Sequence, residues 1–265
     1  MISVIEDGIY TKAKLTAVAR ALERIRVKHE RTINYNMKRS FRALENEILS
    51  LEDLPSLADL SGIIEHQNPY LERMFKTVYM DTTEDILPMV KDETLVKMAT
   101  AEDTDTLVYR LRTLDWVSRY IATHIRYINT TTSKALGQML LESSTTAEFH
   151  RVIRPYFSVT APSRAYVIAR TESASATNIS INESMKVSDT GRDKVVVWNA
   201  IVDERTRESH IFMNGETHPF DEGSTFFVPN RDGGYDRMPV PGDSSYGASA
   251  GNIVNCRCFP TYRYT

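Results

Sequence analysis

A chain of 265 residues with 42% hydrophobic and 25% charged residues has the make-up of an ordinary globular protein, with enough apolar side chains to bury a core in one or two domains. A formal net charge of -3 excludes a globally basic nucleic-acid binder and leaves room only for a local basic stripe. The two cysteines, Cys256 and Cys258, stand one residue apart and exclude a disulfide framework. No apolar run approaches the roughly 20 residues of a membrane span, and the opening MISVIEDGIYTKAK lacks a leader pattern, so a protein made in a reducing cytoplasm is expected.

From about Tyr10 to Leu51 there is no proline or glycine, and Leu15, Val18, Leu22, Ile25, Ile33, Met37, Phe41, Leu44 and Ile48 recur at steps of mostly three or four. This spacing predicts a long helix. It is locally basic: Arg20, Arg24, Lys28, Arg31, Lys38, Arg39 and Arg42 read either as a solvated face, the preferred reading, or as a contact for DNA or an acidic partner. Pro55, Gly62, Asn68-Pro69 and Pro88 then punctuate shorter helices, and Asp81-Thr-Thr-Glu84 has the pattern of a capping box opening a new one. Leu107, Leu111, Leu114, Val117, Ile121 and Ile125 predict a helix from about Thr104 to Ile128, and helical patterning continues over Ser133 to Leu141 and Thr146 to Tyr156.

The character of the chain changes after Pro155. One further helix is expected over Pro162 to Val187, with an alanine- and serine-rich stretch suited to close packing. The β-branched and aromatic run from Lys194 to Val202 reads as a buried strand. Glycine and proline then crowd between Gly215 and Pro260, and Asn230 to Gly251 reads as a long surface loop, available to a neighbouring subunit. The expected fold class is α+β: a mostly helical region over residues 1–157 and a small loop-rich α+β domain over residues 158–265. Val254, Cys256, Cys258 and Tyr262 alternate with Asn255, Arg257 and Phe259, which predicts a stretch pairing with the valine-rich strand. That pairing would bring both cysteines to His210 and turn Arg257 toward Glu172 or Asp203.

Four stretches follow one another in order: Ile168-Ala-Arg-Thr-Glu172, Trp198-Asn-Ala-Ile-Val-Asp203, Glu204-Arg-Thr-Arg-Glu-Ser-His210 and Asn255-Cys-Arg-Cys258. Each is weak alone. Their joint order and spacing over Pro162 to Tyr262 resemble the phage Mu F-like domain of minor head proteins. On that resemblance Arg170, Thr171, Glu172, Trp198, Asp203, Arg205, Thr206, Arg207, Cys256, Arg257 and Cys258 are the motif residues. An ion-pair network fixing helix against loop is the preferred reading of their charges, since no nucleophile or phosphate cradle accompanies them.

His210, Cys256 and Cys258 are soft donors of the kind zinc accepts, and a full tetrahedral set would need His218 or Asp203 as the fourth ligand. A metal-free hydrogen-bonded cluster is the preferred alternative, so no cofactor is required. The resemblance implies a structural protein and not an enzyme. It would act in head morphogenesis and DNA packaging inside the virion head, by binding the portal protein or the major capsid protein, with phage DNA and further copies of itself as other partners. A competing expectation is a metal-dependent hydrolase or nuclease, with His210 as general base and Glu172 or Asp203 holding the metal. A DNA-binding regulator ranks last, because no helix-turn-helix pattern is found in the first half.

Overall fold

The computed structural model describes residues 2–3, 12–91, 115–187 and 193–264. A two-residue strand β1 (Ile2–Ser3) precedes helix α1 (Lys12–Leu49), whose 38 residues run unbroken as the lack of proline and glycine predicts. Helices α2 (Leu57–Glu65) and α3 (Asn68–Ile86) follow, then a 3-10 turn over Leu87–Met89 and strand β2 (Val90–Lys91), which pairs in parallel with β1. Next come α4 (Asp115–Leu141), α5 (Thr146–Pro155), a π-turn over Tyr156–Thr160 and α6 (Ala161–Val187). The remainder holds β3 (Lys194–Asn199), α7 (Glu208–Phe212), β4 (Thr217–Pro219), β5 (Phe226–Pro229), β6 (Tyr235–Met238), α8 (Ala250–Ile253) and β7 (Phe259–Tyr264). The fold is α+β, mostly helical up to α6 and with short antiparallel strands after it.

Several local expectations are corrected. Gly62 lies inside α2 instead of ending it. Asp81 to Glu84 open no helix, because they belong to the last turns of α3, where the Thr82 and Thr83 hydroxyls donate back to the Val78 and Tyr79 carbonyls. Pro155 does not close the helical path. The Ala161 N–H reaches the Tyr156 carbonyl, and this wider π-turn carries the backbone from α5 into α6 past the missing proline donor. The 157/158 division drawn from the sequence falls within that turn. Residues 104–114, with Leu107, Leu111 and Leu114, lie outside the described residues, while Val117, Ile121 and Ile125 of α4 are buried.

The chain forms two compact units interleaved along the sequence: Arg31–Thr77 with Asp115–Ala169, and Met1–Glu30 with Val78–Leu114 and Arg170–Thr265. The first unit is all helical. Its core holds the α1 stripe Ile33, Met37, Phe41, Leu44 and Ile48, all buried, together with buried Leu60, Ile64, Leu71, Phe75, Ile121, Leu136, Phe149 and Ile153 of the other helices. Its short helix α2 is held at its start by a reciprocal capping box, with the Asp59 N–H donating to Ser56 Oγ at 3.1 Å and the Ser56 N–H to Asp59 Oδ2 at 3.0 Å.

The second unit is built around the C-terminal half of α6. Residues 171–182 are buried on every side although ten of the twelve are Ser, Thr, Asn, Glu or Ala, the exceptions being Ile179 and Ile181. Small side chains let neighbours approach closely, and the polar atoms are paired. Ser175 donates to the Gly242 carbonyl at 2.9 Å, Asn178 to the Pro241 and Cys258 carbonyls at 2.7 and 2.8 Å, and Asn182 accepts from the Tyr262 hydroxyl at 2.9 Å. Gly242 is required at the closest approach: its φ is +82°, and a Cβ there would stand 3.2 Å from Ser175 Oγ.

Strand β3 is the middle of a three-stranded antiparallel sheet in the order β4-β3-β7, with Val196 opposite His218 on one side and Tyr262 on the other. Trp198 and Val196 are wholly buried on its inner face. The Asn230 to Gly251 stretch is not simply a surface loop. Its β6 portion pairs with β5 as a hairpin, and Met238, Val240 and Asp243 are buried, because the alternating apolar residues give it an inner face that the density of glycine and proline obscured.

Candidate functional site

The segment after β3 folds on Asp203. The Arg205 N–H donates to Asp203 Oδ1 at 3.0 Å and the Thr206 hydroxyl to the same oxygen at 3.1 Å, an Asx-type turn that a short carboxylate followed by threonine favours. Arg257 then grips the carboxylate with both terminal nitrogens, Nη1 lying 2.8 Å from Oδ2 and Nη2 bonding Oδ1. Arg207, the residue ahead of α7, donates to the Val254 carbonyl. Thr171 on α6 accepts the Asn255 N–H at 3.1 Å, and Asn255 itself is held at a φ of 57°. Glu172 is buried and accepts from the Tyr79 hydroxyl at 3.4 Å. Arg205 is different: its side chain is exposed, and its nearest approach to Asp203 is 3.9 Å. Arg170 is half-buried on α6. Most of the motif charges are thus fastenings between α6, the Asp203 turn and the Asn255–Cys258 segment.

The fastening brings a second group together. Helix α7 carries His210 inward, where Nδ1 lies 3.5 Å from Cys256 Sγ and 3.4 Å from Cys258 Sγ. All three side chains are buried, and their ligand atoms lie within 4.8 Å of one another. The other ring nitrogen, Nε2, faces Asn252 Oδ1 at 3.3 Å. Asn252 on α8 is oriented in turn by donating to Asp236 Oδ2 at 2.8 Å and the Pro229 carbonyl at 3.0 Å. The Trp198 ring meets the His210 ring edge-on at 5.4 Å between centroids. Neither proposed fourth ligand joins the set: Asp203 is held by Arg257, and both ring nitrogens of His218 face backbone carbonyls, of Pro219 at 2.6 Å and Pro239 at 2.9 Å.

Sequence reading missed Arg26. It lies on α1, is 4% exposed, and donates to Asn178 Oδ1 at 2.8 Å and to the Arg257 and Cys258 carbonyls at 3.0 Å each. Burial lowers its pKa, while the neighbouring Cys256 and Cys258 act in the opposite direction. The signal for it was present: Arg26 continues the Val18, Leu22 stripe at a step of four, so a charged residue stood where the helix turns inward. The two sulfurs split in their acidity. The interaction with Cys258 pulls the Cys256 thiol well down against the cost of burial, with His210 assisting, and the same interaction together with burial pushes the Cys258 thiol well up.

Of the basic residues on α1, Arg20, Arg24, Lys28, Arg31, Arg39 and Arg42 are exposed and Lys38 is half-buried. Lys28 is paired with Asp85 at 2.6 Å, and the Arg39 guanidinium lies 5.9 Å from the centre of the Tyr70 ring.

Two carboxylates in this region set an acid response. The Arg257 bonds hold Asp203 well below the usual carboxylate range. At Asp236 burial pulls upward, but bonds from Ser249, Asn230 and Asn252 outweigh it and the pKa is lowered. A lowered folded pKa means that the unfolded chain binds protons more readily, so the stabilisation is complete above the ordinary aspartate value near pH 4 and is lost as the pH falls through the folded values. Denaturant midpoints measured from about pH 6 down to about pH 3 are expected to fall, and Asp236→Asn should flatten the lower part of that slope. An unchanged midpoint across that range would contradict the assignment.

Residues 130–260 match the family described as Phage Mu protein F like protein. No curated protein and no solved structure shows a match. No helix among the described residues is long and apolar enough to cross a membrane. The matched span runs from within α4 into β7 and takes in the Asp203 clamp and the His210 and cysteine group, so this part of the chain is similar to the Phage Mu protein F-like family, a likeness that suggests a phage head, minor capsid role.

Proposed function

We propose that this protein is a minor head protein that acts in head morphogenesis by binding the portal protein or the inner face of the major capsid protein. The observation that carries the reading, beside the family, is the inward use of the motif. Glu172, His210, Cys256 and Cys258 are all 5% exposed or less, and Asp203 and Arg257 are spent on each other. Such residues shape and hold a domain, and a partner would meet the surface that they support. That surface offers apolar side chains unusual in their exposure: Phe212 at 69%, Phe227 at 60% and Val202 at 61%. The exposed Arg20 and Arg24 of α1, in the same unit, are side chains suited to phosphates of packaged DNA or to an acidic protein.

The test is the position of the protein in an intact particle. Density for this chain beside the portal in an asymmetric reconstruction is expected, together with its presence in purified virions. Absence from purified virions and from procapsids would overturn the reading. A metal-dependent DNA cleavage assay on the full chain separates it from the hydrolase alternative, because turnover that disappears in His210→Ala would favour an enzyme.

A further inference from the structure

We propose that His210, Cys256 and Cys258 bind one thiophilic divalent cation, of which zinc is the type, through His210 Nδ1 and the two Sγ atoms. The proposal stands on its own geometry and holds whatever partner the protein has in the head.

The first argument is distance. With Zn–N at about 2.0–2.1 Å and Zn–S at about 2.3 Å, a nitrogen and a sulfur ligand at the tetrahedral angle stand about 3.6 Å apart. The observed separations from Nδ1 are 3.5 and 3.4 Å, one to each sulfur. A single ring nitrogen carries either one hydrogen or one lone pair, so it can serve one sulfur at a time through a hydrogen bond. Near-equal spacing to both is the arrangement of three donors around a common point.

The second argument is the tautomer. The Asn252 amide nitrogen is committed to two acceptors, Asp236 Oδ2 and the Pro229 carbonyl, which turns Asn252 Oδ1 toward the imidazole. An acceptor at 3.3 Å from Nε2 places the ring hydrogen there and leaves Nδ1 as a bare lone pair facing the two sulfurs. An imidazole nitrogen and two thiolates directed at one point are a ligand set, and the His210, Asn252, Asp236 chain is the outer support that metal-bound imidazoles use.

The third argument concerns charge. Arg26 is buried with neutral hydrogen-bond partners, and its Nε has none. A guanidinium in such a place needs negative charge nearby; Glu23 is one source, and metal-bound sulfurs at Cys256 and Cys258 would be another. The Trp198 indole N–H is wholly buried and meets no oxygen or nitrogen acceptor, and Cys258 is its neighbour. A metal-bound thiolate keeps charge on sulfur for both groups. Among the described residues no fourth His, Cys, Asp or Glu joins the three, so the remaining position belongs to an exogenous ligand such as water.

Cobalt(II) titrated into the full, reduced chain is expected to give a thiolate-to-cobalt charge-transfer band that saturates at about one ion per chain and is displaced by zinc. Cys256→Ser and Cys258→Ser should each abolish the band, His66→Ala on the exposed end of α2 should leave it intact, and Asn252→Ala should weaken metal affinity by about 10–100-fold. Should the cysteine variants fail to fold, X-ray absorption at the zinc edge of the wild-type chain decides the matter, with two sulfur neighbours at about 2.3 Å expected. Absence of the cobalt band, a band unaffected in both folded cysteine variants, or zinc bound without sulfur would each overturn the proposal.

Discussion

Trp198→Ala is expected to lower the unfolding free energy by about 3–5 kcal/mol, the range for deleting a fully buried aromatic side chain. Trp198 is 0% exposed on β3, the middle strand of its sheet, and its ring is met edge-on by His210 at 5.4 Å and by Phe226 at 5.2 Å. Removing it opens a cavity bordered by His210 of α7, by Phe226 of the β5–β6 hairpin and by Cys258. Equilibrium denaturant unfolding checks the figure, and Trp198→Phe should recover much of the loss by keeping the edge contacts. A drop below about 1 kcal/mol for the alanine variant would mean that the hairpin and α7 close over the gap, and that the tryptophan is not the keystone of this core.

Arg26→Met is expected to cost about 2–5 kcal/mol, although methionine matches the length and apolar character of the arginine stem. Two effects oppose each other. Burying a guanidinium without a carboxylate partner costs several kcal/mol, and methionine relieves that cost. Against it, three charge-assisted bonds are lost, at roughly 1.5–3 kcal/mol each. The Cys258 carbonyl keeps Asn178 Nδ2 as a donor, but the Arg257 carbonyl and Asn178 Oδ1 lose the arginine bond that the structure gives them. The lost bonds should win. Arg20→Met on the exposed face of the same helix serves as the control, with an effect within about 0.5 kcal/mol. A methionine variant as stable as the parent would show that desolvation dominates at this site.

How much of this was legible in the sequence depended on the range over which each signal acts. Helices α1, α4 and α6 follow from apolar steps of three and four, and β3 from its run of valines, because those patterns are local. A C-terminal strand on β3, the approach of Cys256 and Cys258 to His210 and that of Arg257 to Asp203 were anticipated, but the alternation was misplaced: the strand begins only at Phe259, and the cysteines reach His210 from an irregular segment that follows a turn at Val254 and Asn255, where φ is 57°. Long-range packing was not legible. That α6 is buried on all sides cannot be read from Ser173, Ser175 and Ser180, which look like surface residues until their partners arrive from Gly242 and Thr83. Asp81 to Glu84 matched a capping pattern, but a pattern of four residues cannot say whether the turn before it is already helical. Arg26 was hidden by its neighbours, since one inward arginine among many outward ones differs only in its place on the stripe.

The bond from Arg26 to the Arg257 carbonyl joins residues 231 positions apart, which at ribosomal speeds of about 5–20 residues per second separates their syntheses by on the order of 10–50 s. For that interval Arg26 has been made but its partners at Arg257 and Cys258 have not. The all-helical unit needs nothing beyond Ala169 and can close far earlier. The nascent protein therefore carries Arg26 without these two acceptors through most of its translation. High contact order of this kind slows folding and exposes the chain to aggregation, so yield in the host should depend on chaperones that hold N-terminal segments while the rest is made.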